Sequence, residues 1–338
     1  MRGMTAFSVL DLSSIVEGSN AGAALANSRD LARHAEALGY KRFWMAEHHG
    51  MVGIASAATA VALAHVADGT STIRIGAGGI MLPNHSPLVI AEQFGTLAAL
   101  HPGRIDLGLG RAPGSDMRVA QALRRNLNSD ANQFPQDVVE LQAYFAGDPR
   151  LGIDAVPGKG EDVPLYILGS SLFGAQLAAA LGLPYAFASH FAPGDMDAAI
   201  ALYRRNFMPS AQLDKPYVML GYNIFAADTD EEAELLASSM QQAFVALRTG
   251  NPRQLPPPVP GYRNSLPPQA QTMLDHVLQA SAIGSRETVR AKVAAFLDRT
   301  GADELIIACQ MFDHAARKHS FSIAAEVRES LAADAPVC

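Results

Sequence analysis

The sequence contains few cysteines, few charged residues and no long apolar run, and each shortage excludes a class of protein. Two cysteines, Cys309 and Cys338, are too few for a disulfide framework and form no metal-ligand set, so we expect a reducing, cytoplasmic setting and no metal. No apolar run reaches about eighteen residues and the first residues lack a signal-peptide pattern, so no membrane association is expected. With a formal net charge of −7 and no long basic run, nucleic acid is not an expected partner.

What is present is the composition of one large core. Of the 338 residues, 49% are hydrophobic and 17% are charged. Chains of this length often form one α/β barrel. We therefore expect a single domain over residues 1–338.

Strand-like and helix-like segments alternate along almost the whole chain. A crossover helix is the usual way in which a parallel strand returns beside its neighbour, so the alternation predicts a parallel sheet. Eight such units close naturally into a (β/α)8 TIM barrel, which is the α/β fold that we predict. In the second strand, Phe43 and Trp44 are expected to pack between barrel and helices. The predicted strands are residues 7–12, 41–46, 72–80, 104–109, 165–168, 185–188, 217–226 and 304–308.

The alternative fold is an open, doubly wound sheet that binds a dinucleotide. It would carry a Gly-x-Gly-x-x-Gly turn directly after the first strand. Residues 13–20 instead read Ser-Ser-Ile-Val-Glu-Gly-Ser-Asn, without that fingerprint. The barrel is therefore favoured.

A proline-rich stretch interrupts the alternation between the seventh and eighth strands. Seven prolines lie in residues 250–268, too many for the wall of a barrel. We predict an insertion over about residues 250–284 that crosses one face of the barrel.

The residues that directly follow the predicted strands are polar, titratable or glycine, whereas the strand interiors are apolar. In a TIM barrel the active site lies at the carboxyl ends of the strands. These ends therefore supply the candidate site residues, which are Glu47-His48-His49, Gly78-Gly79 with Pro83-Asn84-His85 soon after, Gly110-Arg111, Gly169-Ser170-Ser171, Ser189-His190 and Cys309-Gln310.

Gly169-Ser170-Ser171 opens the helix after the fifth strand. Backbone N–H groups at a helix start, with flanking hydroxyls, bind phosphate readily, and Arg111 on the neighbouring strand end can clamp the same anion. Gly110 leaves room for the ligand beside Arg111. The alternative is that Ser170 or Ser171 is an ordinary N-cap and Arg111 a surface ion pair. We favour the phosphate site because both parts lie on adjacent strand ends.

The run Gly76-Ala77-Gly78-Gly79 is unusual because glycine weakens a strand interior. One interpretation is an unusual backbone geometry that lies against a planar ligand. The other is close packing of a helix against the strand, and the residues do not decide between them.

Glu47-His48-His49 is not a zinc-binding pattern. Adjacent histidines in an extended segment point to opposite sides and cannot easily share one ion. One of the two can face the barrel mouth as an acid or base, since the pKa of histidine lies near neutrality. The alternative is that both are hydrogen-bonded structural residues.

Together, five segments resemble the bacterial luciferase-like flavin-dependent monooxygenases. The resemblance covers most of the chain, in order, at residues 43–49, 75–83, 102–114, 168–171 and 303–307. It implies a TIM barrel, commonly a dimer, that takes reduced FMN from a separate flavin reductase. It further implies insertion of one oxygen atom from O2 into a small organic substrate through a flavin C4a-(hydro)peroxide, with the flavin supplying the chemistry and the protein orienting it.

The resemblance also assigns roles to residues. His48 falls on the catalytic histidine, Gly78-Gly79 on a non-proline cis peptide against the flavin ring, and Arg111 and Ser170 on phosphate-contacting positions. To the cofactor-binding set we add Glu47, Gly110, Gly169 and Ser171. The substrate pocket is expected to include Leu12, Met81, His190, Phe191 and Gln310.

Two positions depart from luciferase. Gly110 stands where luciferase has a reactive cysteine, so properties of that thiol do not transfer. Phe173 stands where a threonine contacts the phosphate, so Ser171 or backbone amides would have to substitute. The resemblance therefore does not extend to light emission.

Two other functions remain open. A deazaflavin (F420)-dependent oxidoreductase of the same superfamily would share the barrel and the phosphate end but transfer hydride without O2. A catalytically idle flavin-binding protein would bind the cofactor without a product. The Glu-His-His and Gly-Arg-Ala-Pro-Gly segments favour the FMN-dependent monooxygenase, whose substrate the sequence does not identify.

Overall fold

Eight parallel strands close into a barrel, which confirms the predicted TIM-barrel fold. The structure is a computed structural model, and it describes residues 5–111, 119, 122–123 and 133–333. The barrel strands follow the order β1 to β7 and then β9, which pairs with β1 to close the circle. The strands are β1 (Ala6–Asp11), β2 (Arg42–Met45), β3 (Arg74–Met81), β4 (Ile105–Gly110), β5 (Leu165–Gly169), β6 (Tyr185–Phe187), β7 (Val218–Ala226), β8 (Ser281–Gly284) and β9 (Glu304–Ala308).

Helices surround the barrel, and local signals set their ends. The first begins at Asn20, whose side chain accepts a hydrogen bond from the amide of Ala23, and it ends before Gly39, whose φ of +71° is left-handed. Among the described residues, no helix has both the length and the apolar character that crossing a bilayer requires. The helices are α1 (Ala21–Ala37), α2 (Thr59–Ala67), α3 (Pro87–Leu100), α4 (Phe134–Ala146), α5 (Leu172–Leu181), α6 (Met196–Asn206), α7 (Asp230–Arg248), α8 (Tyr262–Ser265), α9 (Pro268–Val277), α10 (Arg286–Thr300) and α11 (His314–Ala333).

Two separate clusters of buried side chains form the core. The larger lies between the barrel wall and the helices and includes Phe43. The smaller fills the inside of the barrel and includes Leu10, Trp44, Tyr166 and Ile306. Trp44 therefore points inward, and the expectation that it packs against the helices is wrong. The physical reason is that neighbouring side chains on a strand point to opposite faces.

A charged layer lies below the inner cluster, at the amino ends of the strands. Arg42 is buried there, and its guanidinium bonds to Glu304 and Asp106. Arg74 binds the other oxygen of Asp106 at 2.7 Å, and the hydroxyl of Tyr217 donates to Glu304 at 2.6 Å. This charged layer lies at the end of the barrel opposite to the strand ends that carry the candidate site residues.

Helix α7 and the residues after it lie over the carboxyl ends of the strands. Phe244 of α7 contacts Phe191, which follows β6, with ring centroids 6.1 Å apart. Further along, Leu255 forms a β-bridge with Val16, in the loop after β1. Helix α9 and strand β8 were not predicted from the sequence, and β8 pairs with the end of β7. That residues 250–284 are an insertion stays a prediction, although the segment does cross this face.

Candidate active site

The strand pairing brings several candidate residues side by side at the carboxyl end of the barrel. Met81 at the end of β3 pairs with Gly110 of β4, and Gly110 pairs in turn with Leu168 of β5. Gly169 then pairs with Phe187, two residues before Ser189 and His190. Four consecutive strand ends therefore border one region. Residues 112–114, part of the Gly-Arg-Ala-Pro-Gly motif, lie outside the described residues.

The arginine predicted to bind a phosphate lies beside the predicted helix start. The guanidinium carbon of Arg111 is 4.1 Å from the ring centroid of Phe173, in the first turn of α5. Phe173, noted above as a departure, therefore holds the arginine at this helix end. Stacking uses the face of the guanidinium and leaves its N–H edge available for an anion.

The helix start itself offers unused donors. Ser171 occupies the N-cap position of α5, but its hydroxyl does not cap the helix. Ser170 is exposed. Within the part of the chain that the structure describes, neither hydroxyl forms a hydrogen bond and Arg111 forms no ion pair, and the phosphate site stays a prediction. Amides, two hydroxyls and one arginine together fit a phosphate dianion.

The glycine run at β3 lies at an irregularity of the sheet. Register between β3 and β4 shifts between Ala77 and Ile80, which is the signature of a bulge. The peptide bond between Gly78 and Gly79 is cis, as the resemblance implies.

Close packing explains much of the glycine content, although the packing partner is not a helix. A Cβ on Gly76 would lie 2.7 Å from Trp44 Nε1, and one on Gly108 would lie 2.3 Å from the carbonyl oxygen of Ala77. Gly110 and Gly169 differ, because the nearest atoms to their Cβ positions are 3.7 and 3.9 Å away. Gly110 and Gly169, unlike Gly76 and Gly108, therefore have room beside them.

Glu47 is buried and fully engaged by its neighbours. Its Oε1 accepts hydrogen bonds from Nε2 of His49 at 2.7 Å and from Nε2 of His85 at 2.8 Å, and its Oε2 accepts from the amide of Met81 at 3.0 Å. Burial raises the pKa of the Glu47 carboxyl, but the hydrogen bonds from His85, His49 and Met81 outweigh it and hold the pKa below its ordinary value. Both oxygens of Glu47 therefore have partners within the protein. That Glu47 contacts a cofactor stays a prediction.

His48 differs from its two neighbours. Among the described residues its ring forms no hydrogen bond, and it is half-buried at the end of β2. Burial lowers its pKa below the ordinary value, which the carboxylate of Glu47 partly opposes. The imidazole is therefore neutral near pH 7 and available to exchange a proton with a bound molecule.

His190 lies against the inner face of β7. A Cβ on Gly221 would be only 2.0 Å from Nδ1 of His190, so only glycine leaves space for the ring. Asn223 and Ser189 fix this loop, because Asn223 Nδ2 donates to the carbonyl of His190 at 2.8 Å and Ser189 Oγ to that of Gly221 at 2.6 Å. Nδ1 is buried without a partner among the described residues. Burial, with a smaller contribution from the nearby His48, lowers the pKa of His190 to about 4.

A Gly221→Ala substitution is expected to displace the His190 ring. Overpacking of this kind typically costs about 1–3 kcal/mol of stability, which urea unfolding would measure. The matched control is the double variant Gly221→Ala, His190→Ala, in which the methyl group has space and the added cost of the alanine should fall by more than half. If the Gly221→Ala change cost the same stability with and without the His190 ring, contact with that ring would not be the reason that position 221 requires glycine.

The remaining pocket candidates have mixed surroundings. Leu12 packs on the inner cluster, and Gln310 donates to the hydroxyl of Ser14 at 3.2 Å. Phe191 is 42% exposed and stacks with Arg248, so α7 contacts its ring. Sequence reasoning gave no role to His85, Gly221 or Asn223. Only His85 carried a signal, its place soon after a strand end, whereas nothing in the sequence points to the other two.

Comparison with known proteins identifies the class. The family model for luciferase-like monooxygenases matches residues 5–304, and the chain belongs to this family of enzymes. A protein of Escherichia coli K12 named luciferase-like monooxygenase is 55% identical over 96% of this chain and 98% of its own. N-acetyl-S-alkylcysteine monooxygenase of Bacillus subtilis is 36% identical over 73% of this chain and 75% of its own. The resemblance seen in the sequence is thus confirmed, and the chain is a monooxygenase of this family.

Solved structures share the fold closely. The structure of apo-MsnO8 superposes with a TM-score of 0.86 at 34% identity and covers 96% of this chain and 98% of that one. Two structures at 15% identity support the fold alone. They are the oxygenating constituent of 3,6-diketocamphane monooxygenase of Pseudomonas putida in complex with FMN (TM-score 0.72, 96% and 97% covered) and an F420-dependent secondary alcohol dehydrogenase (0.64, 94% and 97%).

Proposed function

We propose that this chain is a two-component monooxygenase that receives reduced FMN from a separate flavin reductase and inserts one atom of O2 into a small organic substrate. The observation that carries the proposal is the stacking of Arg111 on the first turn of α5, beside the unused donors of Ser170 and Ser171. Membership of the family supports the monooxygenase class, and Arg111 together with the start of α5 could bind a phosphate.

The residues fit FMN as follows. The amides that open α5, with Ser170, Ser171 and Arg111, would hold the phosphate. The backbone at Gly78-Gly79 and the space beside Gly110 and Gly169 would receive the ring system. When bound, reduced FMN supplies the activation of O2.

His48 and His190 would act on the substrate side. His48 has a free, neutral ring that can hold or return a proton. Nδ1 of His190 lies against Gly221, so we infer that the ring proton is on Nε2, at the opposite edge of the ring. From there Nε2 would donate a hydrogen bond to an oxygen of the substrate. The cover formed by α7 and the segment around Leu255 would limit access of water.

A direct test is to mix anaerobic protein and reduced FMN with O2 in a stopped-flow instrument. We expect the bound flavin to be reoxidised more slowly than free reduced FMN, and a substrate to change that rate while an oxygenated product accumulates. Thioethers are the first substrates to try, because a relative is named for N-acetyl-S-alkylcysteine. Reoxidation at the free-solution rate under saturating protein would contradict the proposal.

Replacing His48 by glutamine is expected to lower product formation by about 10²–10⁴-fold, the usual contribution of a general acid or base. Affinity for FMN should not change, because the residue contacts the substrate side. The control is His65→Gln, which alters an exposed histidine on α2. Product yield per reduced FMN is the measurement, and an unchanged yield would remove the role assigned to His48.

The F420-dependent alternative is favoured by one observation, that a solved structure of the same fold binds F420. Parallel titrations with reduced FMN and reduced F420 separate the two. Binding of FMN with no product from any substrate would instead favour an idle flavin-binding protein.

We also propose a homodimer that works in the cytoplasm. Helices α2 and α3 carry apolar side chains that remain exposed, with Val61 at 73%, Leu100 at 65% and Val89 at 42%. Such residues on neighbouring helices are typical of a surface that a partner covers. Sedimentation velocity would decide between a dimer and a monomer.

A further inference from the structure

Glu47, His49 and His85 bring three metal-ligating atoms together, a grouping that we call the Glu47 cluster. One ligand atom from each of the three residues lies within 4.8 Å of the other two, and Oε1 of Glu47 accepts from Nε2 of both histidines. The cluster joins the end of β2 to the turn after β3. His48 is not part of it, because His49 and Glu47 lie two residues apart on one side of the extended chain and His48 points to the other.

Glu47 is exceptional among the buried carboxylates that the structure describes. Asp11, Asp106 and Glu304 are equally buried, and each forms an ion pair with an arginine. The ion-pair partners of Glu47 in the described part of the chain are the two histidines alone. A buried carboxylate is costly unless a cation compensates it, and a metal ion bound by the two histidines would be such a cation.

A set of two histidines and one carboxylate is typical of sites that bind transition-metal ions. Two imidazole nitrogens and one carboxylate oxygen are the protein ligands of catalytic zinc sites and of the non-haem iron triad, in which water or substrate fills the remaining positions. Metal–ligand bonds of roughly 2.1 Å at tetrahedral angles would separate the ligand atoms by roughly 3.4 Å. Since the hydrogen bonds are 2.7 and 2.8 Å long, the two histidines would have to move by less than an ångström.

Orientation and access also suit an ion. The amide of Met81 holds Oε2 of Glu47 and thereby directs Oε1 toward the histidines. The side chains of His49 and His85 are 17% and 25% exposed, so solvent reaches the cluster from one side.

We propose that Glu47, His49 and His85 form a binding site for one divalent transition-metal ion of the Zn²⁺ type, with water in the remaining positions. This site goes beyond the proposed function, which requires no metal. A bound ion would transfer the Nε2 proton of each histidine to Nδ1 or to solvent and would tie the loop that carries His48 to the turn after β3.

The test uses the full chain, freed of metal with a chelator and studied without flavin. Titration with Co²⁺, followed by visible absorption, and with Zn²⁺, followed by calorimetry, should show one saturable equivalent. His85→Gln is the informative variant, since its amide can still donate to Glu47 but is a poor ligand, and it should weaken binding at least tenfold. Thermal unfolding of the variant checks that the fold is kept.

The control is His319→Gln, which alters an exposed histidine that donates to Asp228 at 2.7 Å and has no third ligand among the residues that the structure describes. It should leave the titration unchanged. Absence of a saturable equivalent, or equal binding by wild type and the His85→Gln protein, would overturn the proposal. Because no flavin is present, that result would leave the FMN hypothesis untouched.

Discussion

Replacement of Arg42 by methionine is expected to lower the free energy of unfolding by about 3–5 kcal/mol, the usual cost of removing one partner from a buried ion pair. Arg42 is 2% exposed. Its Nε donates to Oε1 of Glu304 at 2.7 Å and its Nη1 to Oδ2 of Asp106 at 2.5 Å. Methionine fills similar volume but leaves both carboxylates without their shared counter-charge.

The electrostatics of Glu304 show why the loss should be large. Burial alone would raise the pKa of its carboxyl, but the charges of Arg42 and Lys41 and the hydrogen bonds from Ser8 and Tyr217 outweigh it and hold the pKa below its ordinary value. Without Arg42, burial dominates, so Glu304 would either remain charged at a high cost or take up a proton.

Urea unfolding followed by circular dichroism measures this effect. The matched control is Arg286→Met, which breaks an exposed pair with Glu326 and should cost less than about 1 kcal/mol. If the two variants unfolded at the same urea concentration, the charged layer would not stabilise the barrel as inferred.

The barrel could be predicted because local pattern and global fold agree. Apolar segments of strand length, separated by helices, leave few arrangements other than a closed parallel sheet. The inward direction of Trp44 and the charged layer around Arg42 were missed. Because side chains alternate along a strand, Phe43 and Trp44 must point to opposite faces of the sheet. Which face becomes the inside of the barrel depends on how the barrel closes. An arginine at the start of a strand predicts an exposed strand end. Arg42 is buried instead because it forms ion pairs with Asp106 and Glu304, which are far away in sequence.

The candidate site was predictable to the extent that it follows strand ends. Arg111 and the Ser170-Ser171 turn could be paired in advance because neighbouring parallel strands end at the same edge. The contact between Glu47 and His85 depends on how the turn after β3 folds back. The space that Gly221 leaves for His190 exists only once β6 and β7 are aligned, so no spacing in the sequence encodes it.

Arg111→Ala is expected to weaken FMN binding by about 10–100-fold. A charge-assisted hydrogen bond contributes about 1.5–3 kcal/mol, and about 1.4 kcal/mol corresponds to a tenfold change in Kd. Two features support a value in this range. Arg111 has no competing ion pair within the described residues, and its stacking on Phe173 orders the guanidinium before the ligand arrives. Quenching of flavin fluorescence measures the affinity, with Arg150→Ala, which alters an exposed arginine paired with Asp148, as the control.

Riboflavin, which lacks the phosphate, makes the test specific. If Arg111 binds the phosphate, the substitution should weaken FMN binding and leave riboflavin binding nearly unchanged, so that the two ligands become similar in affinity for the variant. Arg111→Lys should recover part of the loss, because it restores the charge without the two-point geometry. An equal loss for FMN and riboflavin would mean that Arg111 acts through the ring or through the fold. The corner formed by β4 and α5 would then not be the phosphate site on which the assignment of FMN rests.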